Sequence, residues 1–512
     1  MKAWLLSIVL CLSLVPALAQ ESPFNLGVEA ARQGKHEVAI GHFQKAVAND
    51  PRDSRSLSWL GYLYLKTGKA SDAVDCLKKA TELNPRAEDA LNNLGNAYME
   101  TGQVEKAIEA YQAALKIKED YYDAHYNLGN AYIALGKGSS VENAIKAFKQ
   151  ALSLQPNSAE AHNNLGLAYA RMAQSYVAAR DRFEAANDKE KAERSLSLGT
   201  RLYGQAADEY RAATQADPSN GTYWLNLALA YRELLAINGT TEARQNAIAA
   251  LKKAVSLRQS DYLAHLALAD LYSEGNLLTE AISMYSAAAR LKPEEFDPHY
   301  RLGILYFKTG AYEPAIAAYT KALQIRPNDP STLNNLGCVY HHTKKYDEAV
   351  DAFAKAAAAD TRFVTAHANL ATVYTTMGKS EEAVAAWRKV VELEPRNTKA
   401  RLALARHALN ANDLERAEAL YREVIGIDAR STEAHNALGF ILWRSGKLDE
   451  AIQAFNKALT INPKYAPALN NLGAMYEEKG QTDKARDMYK RALAVDPSYE
   501  DARKNLDRLG VQ

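Results

Sequence analysis

An all-α solenoid is the fold class that this 512-residue sequence predicts, and three observations predict it. Segments of 34 residues recur along the chain, each holds two apolar stripes at helical spacing, and a turn signal separates the stripes. The clearest copy runs from Glu88 to Tyr121. Its first half sets Leu91, Leu94 and Tyr98 on one helix face with Gly95 beside them, its second half sets Ala107, Tyr111 and Ala114, and Gly102 marks the turn. Two helices of about fourteen residues with one stripe each cannot bury those stripes alone, so the unit needs neighbours of its own kind. About thirteen helix pairs and a C-terminal capping helix are expected, as one continuous body instead of the three or four domains that length alone suggests.

The first nineteen residues stand apart. Lys2 gives a positive start, Ala3 to Val15 is almost wholly apolar, and Ala17-Leu18-Ala19 places small residues where a signal peptidase reads. Residues 1–19 are read as a signal peptide cleaved before Gln20. The rival reading is a retained anchor, but the run is shorter than the roughly 20 residues a spanning helix needs. No later segment is apolar enough to span, so no membrane insertion is expected after cleavage. The expected location is exported, periplasmic or secreted, and a bacterial envelope fits. Removing Lys2 takes the formal charge from +1 to zero, a balance that gives no reason to expect nucleic acid. Cys11 leaves with the leader, while Cys76 and Cys338 fall seven repeats apart, too far for a disulfide with each other.

In a frame starting at Gln20 the repeats are 20–53, 54–87, 88–121, 122–158, 159–220, 221–261, 262–295, 296–329, 330–363, 364–397, 398–431, 432–465 and 466–499. One position is alanine in all thirteen, from Ala39 through Ala107 to Ala485, as required where the two helices of a pair cross closely. Glycine or alanine opposes it on the first helix, as at Gly61, Gly95 and Gly129. Tyrosines such as Tyr64, Tyr98 and Tyr340 on first helices, and aromatics such as Phe43, Tyr111 and Trp387 on second helices, are read as core. A proline, as at Pro51 and Pro85, closes most units by removing a donor. Short insertions fall in the turns near Gly136 to Ser140 and Asn238 to Thr241. A longer one, near 173–200, is itself helical, with Met172, Tyr176 and Phe183 continuing one stripe and Leu196, Tyr203 and Tyr210 the other. It predicts an extended hairpin turning near Asn187-Asp188. Residues 500–512 are read as a capping helix with Ala502, Leu506 and Leu509 on one face.

This pattern of L-G-x-x-Y followed by Ala, an aromatic, Ala and Pro resembles the tetratricopeptide repeat family, over Gln20 to Tyr499. The resemblance implies a right-handed superhelix whose first helices line a concave groove for an extended peptide or a partner's helix. The repeats are similar to those of O-linked N-acetylglucosamine transferase, without its catalytic domain.

No enzyme is expected. Gly378-Lys379-Ser380 echoes a phosphate-binding loop but lacks the upstream glycine, which is Val373, and sits in a turn between helices. His341-His342 are adjacent and point in different directions, without a third ligand, so no metal or other cofactor is expected. Only thirteen residues follow the last repeat, too few for a catalytic domain.

The polar residues of the first helices carry the functional reading. Asparagine recurs two residues before the small position at Asn25, Asn93, Asn127, Asn164, Asn226, Asn335, Asn369 and Asn471, thickened by Asn92, Asn96, Asn130 and Asn163. Each costs up to about 0.7 kcal/mol against alanine inside a helix, so repetition in register asks for a reason. A side-chain amide matches the N–H and C=O of an extended peptide without reading its side chains. The resemblance implies the same role, since an asparagine ladder occupies this motif position in the transferase. The alternative is that these asparagines face water. Farther on, Arg406, Phe440, Trp443 and Arg444 fall on inward positions and suggest a second site. The expected function is a non-enzymatic scaffold for partner proteins or extended peptides, with no small-molecule substrate. The alternatives are an oligomerising element of an envelope assembly that self-associates, or a targeting subunit for a separate enzyme.

Overall fold

The computed structural model describes residues 22–137 and 139–510. The signal peptide reading therefore lies outside the described residues. Among these there are 27 helices and no strand. Odd-numbered helices are the first and even-numbered the second of each pair, and the chain forms an all-α solenoid.

The periodicity predicts one continuous body, yet the contacts group into two compact units that divide between Leu271 and Tyr272. Each repeat touches only its neighbours, so cohesion is local and repetition alone does not bind distant repeats together. The first unit contains α1 (Pro23–Arg32), α2 (His36–Asn49), α3 (Ser54–Lys66), α4 (Ala70–Leu83), α5 (Glu88–Glu100) and α6 (Val104–Ile117). It continues with α7 (Tyr122–Leu135), α8 (Ser140–Leu154), α9 (Ala159–Ala185), α10 (Lys189–Ala216), α11 (Gly221–Asn238) and α12 (Thr241–Leu257). The division falls inside α13 (Tyr262–Glu274).

The second unit contains α14 (Leu278–Leu291), α15 (Phe296–Lys308), α16 (Tyr312–Ile325), α17 (Pro330–His342), α18 (Tyr346–Ala359), α19 (Val364–Thr376) and α20 (Ser380–Leu393). It ends with α21 (Thr398–Asn410), α22 (Leu414–Ile427), α23 (Thr432–Arg444), α24 (Leu448–Ile461), α25 (Ala466–Glu478), α26 (Thr482–Val495) and α27 (Glu500–Gly510).

Packing within a pair follows from the small residues. A Cβ built on Gly95 would lie 2.4 Å from Cε1 of Tyr111, a ring that is 1 % exposed. Only glycine lets that ring lie flat on the first helix. Ala107 is fully buried at the crossing. In the turn between the helices Gly102 takes φ of 75°, a left-handed conformation that costs other residues roughly 1–2 kcal/mol.

The aromatics of the two helices differ in depth. Tyr111, Phe148, Tyr319 and Phe455 on second helices are fully buried, whereas Tyr64, Tyr98 and Tyr340 on first helices are half-buried. The half-buried rings still pack against the core clusters, and Tyr169, Tyr231 and Tyr272 on first helices are buried, so the aromatics of both helices belong to the core at different depths. A phenol needs a partner for its hydroxyl, and the hydroxyls of Tyr64 and Tyr132 reach Gln44 and Gln112 on the preceding second helices.

Successive repeats are also stapled backwards. His125 and His162 place Nε2 2.8 and 2.9 Å from the carbonyls of Glu119 and Pro156, six residues earlier. His299, His367 and His435 make the same reach to Pro293, Thr361 and Ala429. Trp224 and Arg401 donate likewise to Pro218 and Pro395. Each bond ties the start of a first helix to the loop that leads into it from the second helix before.

The fifth repeat is the long one. Its helices α9 and α10 have 27 and 28 residues, about fourteen beyond the usual length, which adds roughly 21 Å to each. Asn187 turns the chain with φ of 59°, and Asp188 caps α10 by accepting from the Lys191 amide. Gly199 lets Val177 approach, so the outer turns pack on one another.

Candidate protein-binding groove

Curvature identifies the inner face of each unit. First helices of successive repeats touch directly: α3 with α5, α5 with α7, α7 with α9 and α9 with α11 in one unit, α15 with α17, α17 with α19, α23 with α25 and α25 with α27 in the other. Among the described residues no two second helices approach as closely. The stack is tighter on the first-helix side, so within each unit the first helices line the concave side.

The asparagine ladder lies along those first-helix contacts, and its amides bind one another. Asn127 Nδ2 donates to Asn92 Oδ1 at 3.1 Å, thirty-five residues away on the preceding first helix. The same bond joins Asn369 to Asn334 (2.9 Å), Asn471 to Asn436 (3.1 Å) and Asn505 to Asn470 (3.0 Å), each again with a separation of 35. Asn226 donates to Asn163 (2.7 Å), and Asn164 donates to Asn130 (2.8 Å) and to the Tyr126 hydroxyl (3.1 Å). Asn335 donates to the Tyr300 hydroxyl at 3.4 Å. Burial explains the pairing: Asn92, Asn334 and Asn470 are only 2 %, 6 % and 7 % exposed, and a buried amide oxygen without a partner is costly.

The ladder residues therefore separate into kinds. Asn92 is buried and its oxygen is taken, which makes it a strut between repeats. Asn130 also accepts from its neighbour, and Asn96 Oδ1 accepts from the Tyr111 hydroxyl at 2.8 Å. Asn127, Asn226, Asn335 and Asn369 give Nδ2 to the preceding repeat and keep Oδ1 without a bond among the described residues. Asn164 Oδ1 is occupied by Asn163. Asn93 is half-buried and makes no side-chain hydrogen bond among the described residues. Sequence reasoning missed Asn334, Asn436, Asn470 and Asn505 as partners. The signal was the Asn-Asn pairs at 92–93, 163–164, 334–335 and 470–471, whose first member faces the next repeat.

At the far end of the second unit, a cavity of about 630 Å³ opens between α23, α25 and α27. Phe440 and Trp443 line it, with ring centroids 5.7 Å apart, together with Asn471 and Asn505. Trp443 donates to Glu478 (2.7 Å) and Arg508 to Glu477 (2.8 Å). Arg406 is bound to Glu433 and Arg444 to Asn412, and neither lines the cavity.

The thiols of Cys76 and Cys338 are free, and burial raises both above the usual thiol range, Cys76 to about 11. Among the described residues no group of three or more His, Cys, Asp or Glu is placed to hold a metal. No helix among them is long and apolar enough to cross a membrane.

Tetratricopeptide repeat sequences match residues 24–74, 61–102, 95–136, 137–172, 232–296, 305–344, 331–359, 369–432 and 428–498. The chain belongs to the tetratricopeptide repeat family. No curated protein matches it at a significant level. Solved tetratricopeptide repeat structures do. The crystal structure of MamA is 25 % identical, over 32 % of this chain and 96 % of its own, with a TM-score of 0.30. YrrB, described as a TPR protein with an unusual peptide-binding site, is 24 % identical over 36 % of this chain and 96 % of its own, with a TM-score of 0.33. A tetratricopeptide repeat protein from Parabacteroides merdae is 18 % identical over 50 % of this chain and all of its own, with a TM-score of 0.35.

Proposed function

We propose that this tetratricopeptide repeat protein is an exported, non-catalytic scaffold that holds an extended segment of a partner protein against the concave side of its first helices. The supporting observation is the row of half-buried asparagines whose Oδ1 atoms remain unbonded, at Asn127 and Asn226 in one unit and at Asn335 and Asn369 in the other. Acceptors recurring along the first helices suit the N–H groups of an extended backbone. Asn93, with no intramolecular bond, adds both donor and acceptor.

A photo-crosslinking amino acid placed at Asn93 on the inner face, and separately at the exposed Glu109 on a second helix, tests the reading in the native cell. The inner position is expected to capture a discrete partner and the outer one not. Equal capture at both positions, or none at the inner one, refutes groove binding, and capture of a second copy of the chain makes the groove a self-association surface. Mass analysis of the mature protein tests export: the expected N-terminus is Gln20, and an unprocessed chain in the cytoplasm refutes it.

A further inference from the structure

Over α5 and α7 the first helices carry a charge bias that the whole-chain balance hides. Helices α5 and α7 contain Glu88, Asp89, Glu100 and Asp123 and not one lysine or arginine. The next first helix, α9, adds Glu160 in the register of Asp89 and Asp123. Among the described residues none of these five carboxylates is in an ion pair. Asp89 accepts a hydrogen bond from the Tyr121 hydroxyl at 2.7 Å, and the nearby cation Lys118 lies over the Tyr121 ring, 4.9 Å from its centroid. Burial first, and then the charge of Asp89, hold the Asp123 carboxyl above its ordinary range, although Lys118 acts in the opposite sense. Acidity is not general to first helices, because α21 carries Lys399, Arg401 and Arg406 and no carboxylate.

Two further features of this face favour a cation. The amide nitrogen of Asn127 is committed to the preceding repeat, so what this residue leaves open is an acceptor. The rings of Tyr122 and Tyr126 stack with centroids 6.0 Å apart, within electrostatic reach of Glu160, and Asp123 lies close to Tyr122. Aromatic faces beside carboxylates suit an ammonium or guanidinium group.

From this charge complementarity we infer that the α5–α7–α9 face docks an extended partner segment bearing lysine or arginine side chains, an inference that rests on the groove reading above. Backbone N–H groups meet the open oxygens of Asn93 and Asn127, and the cationic side chains lie between Asp89, Asp123 and Glu160. The two helix steps from α5 to α9, about 9 Å each, are spanned by about six extended residues.

The test uses the full chain and fluorescent peptides built on Lys-Gly-Ser, Gln-Gly-Ser and Glu-Gly-Ser repeats, read by anisotropy at low and high salt. The lysine peptide is expected to bind most tightly and to weaken with salt. Asp89→Asn with Asp123→Asn should weaken it about fivefold to tenfold, as expected for two half-exposed ion pairs. Lys399→Gln, in the other unit, should leave it unchanged. Equal binding of lysine and glutamine peptides, or lysine binding that ignores the carboxylate substitutions, overturns the cationic specificity while leaving groove binding intact. Failure of all three peptides, together with failure of inner-face crosslinking, overturns both.

Discussion

Removing the amide of Asn127 separates a structural role for the ladder from a ligand-binding one. In Asn127→Ala the Oδ1 of Asn92, in a residue only 2 % exposed, loses its donor, 3.1 Å away in the native chain. A buried acceptor left unsatisfied costs about 1–3 kcal/mol. Alanine returns up to about 0.7 kcal/mol of helix propensity. The net expectation is a loss of roughly 0.5–2.5 kcal/mol, the difference of those two terms. Asn93→Ala, one repeat earlier in the same register and with no bond to lose, should be neutral or slightly stabilising. The assay is urea denaturation followed by circular dichroism on the full chain, extended to a double-mutant cycle with Asn92→Ala, in which coupling of about 0.5 kcal/mol or more is expected. If Asn127→Ala is as stable as Asn93→Ala and the cycle shows no coupling, the amide bond between repeats does not contribute, and the reasoning from burial fails.

Three other perturbations have signs fixed by the structure. Gly95→Ala sets a Cβ 2.4 Å from the Tyr111 ring and should destabilise by about 1–3 kcal/mol, whereas Gly204→Ala, in α10 with open space around it, should stabilise by up to about 1 kcal/mol; thermal melts check both. The pKa of His162 is raised chiefly by its 2.7 Å hydrogen bond to Glu209, so the stability it contributes is fully present below the unfolded histidine pKa and is lost as pH rises through the higher folded value. Glu209→Gln should therefore cost more stability at pH about 5.5 than at about 8.5, and equal losses at the two would count against the pair.

Much of the fold was legible because its rules act within one repeat. Gly95, Ala107 and Tyr111 are close in sequence and meet in one helix pair, so spacing alone shows that a small residue must face a ring. The asparagine bonds join residues thirty-five apart on separate helices, and a one-dimensional pattern shows the recurrence but not which atom is consumed. Asn92 and Asn93 look equivalent in the sequence; one is a strut and the other is open, because adjacent helix positions point in different directions. The half-burial of Tyr64 and Tyr98 was hidden for a related reason, since the pattern marks an aromatic position without saying where its hydroxyl must go. The division between Leu271 and Tyr272 has no signature in the repeat, whose register runs through it unchanged.

The backward staples bear on how the protein comes apart. His125, His162, His299, His367 and His435 each fasten a first helix to the loop that precedes it, so the joint between repeats is held by side chains in addition to apolar packing. Under tension from the ends, or in slow hydrogen exchange, the piece that peels away is a helix pair, because packing within a pair is more extensive than packing between pairs. The loop ahead of each stapled first helix then leaves with that helix, so the period of the sequence and the unit of mechanical release coincide.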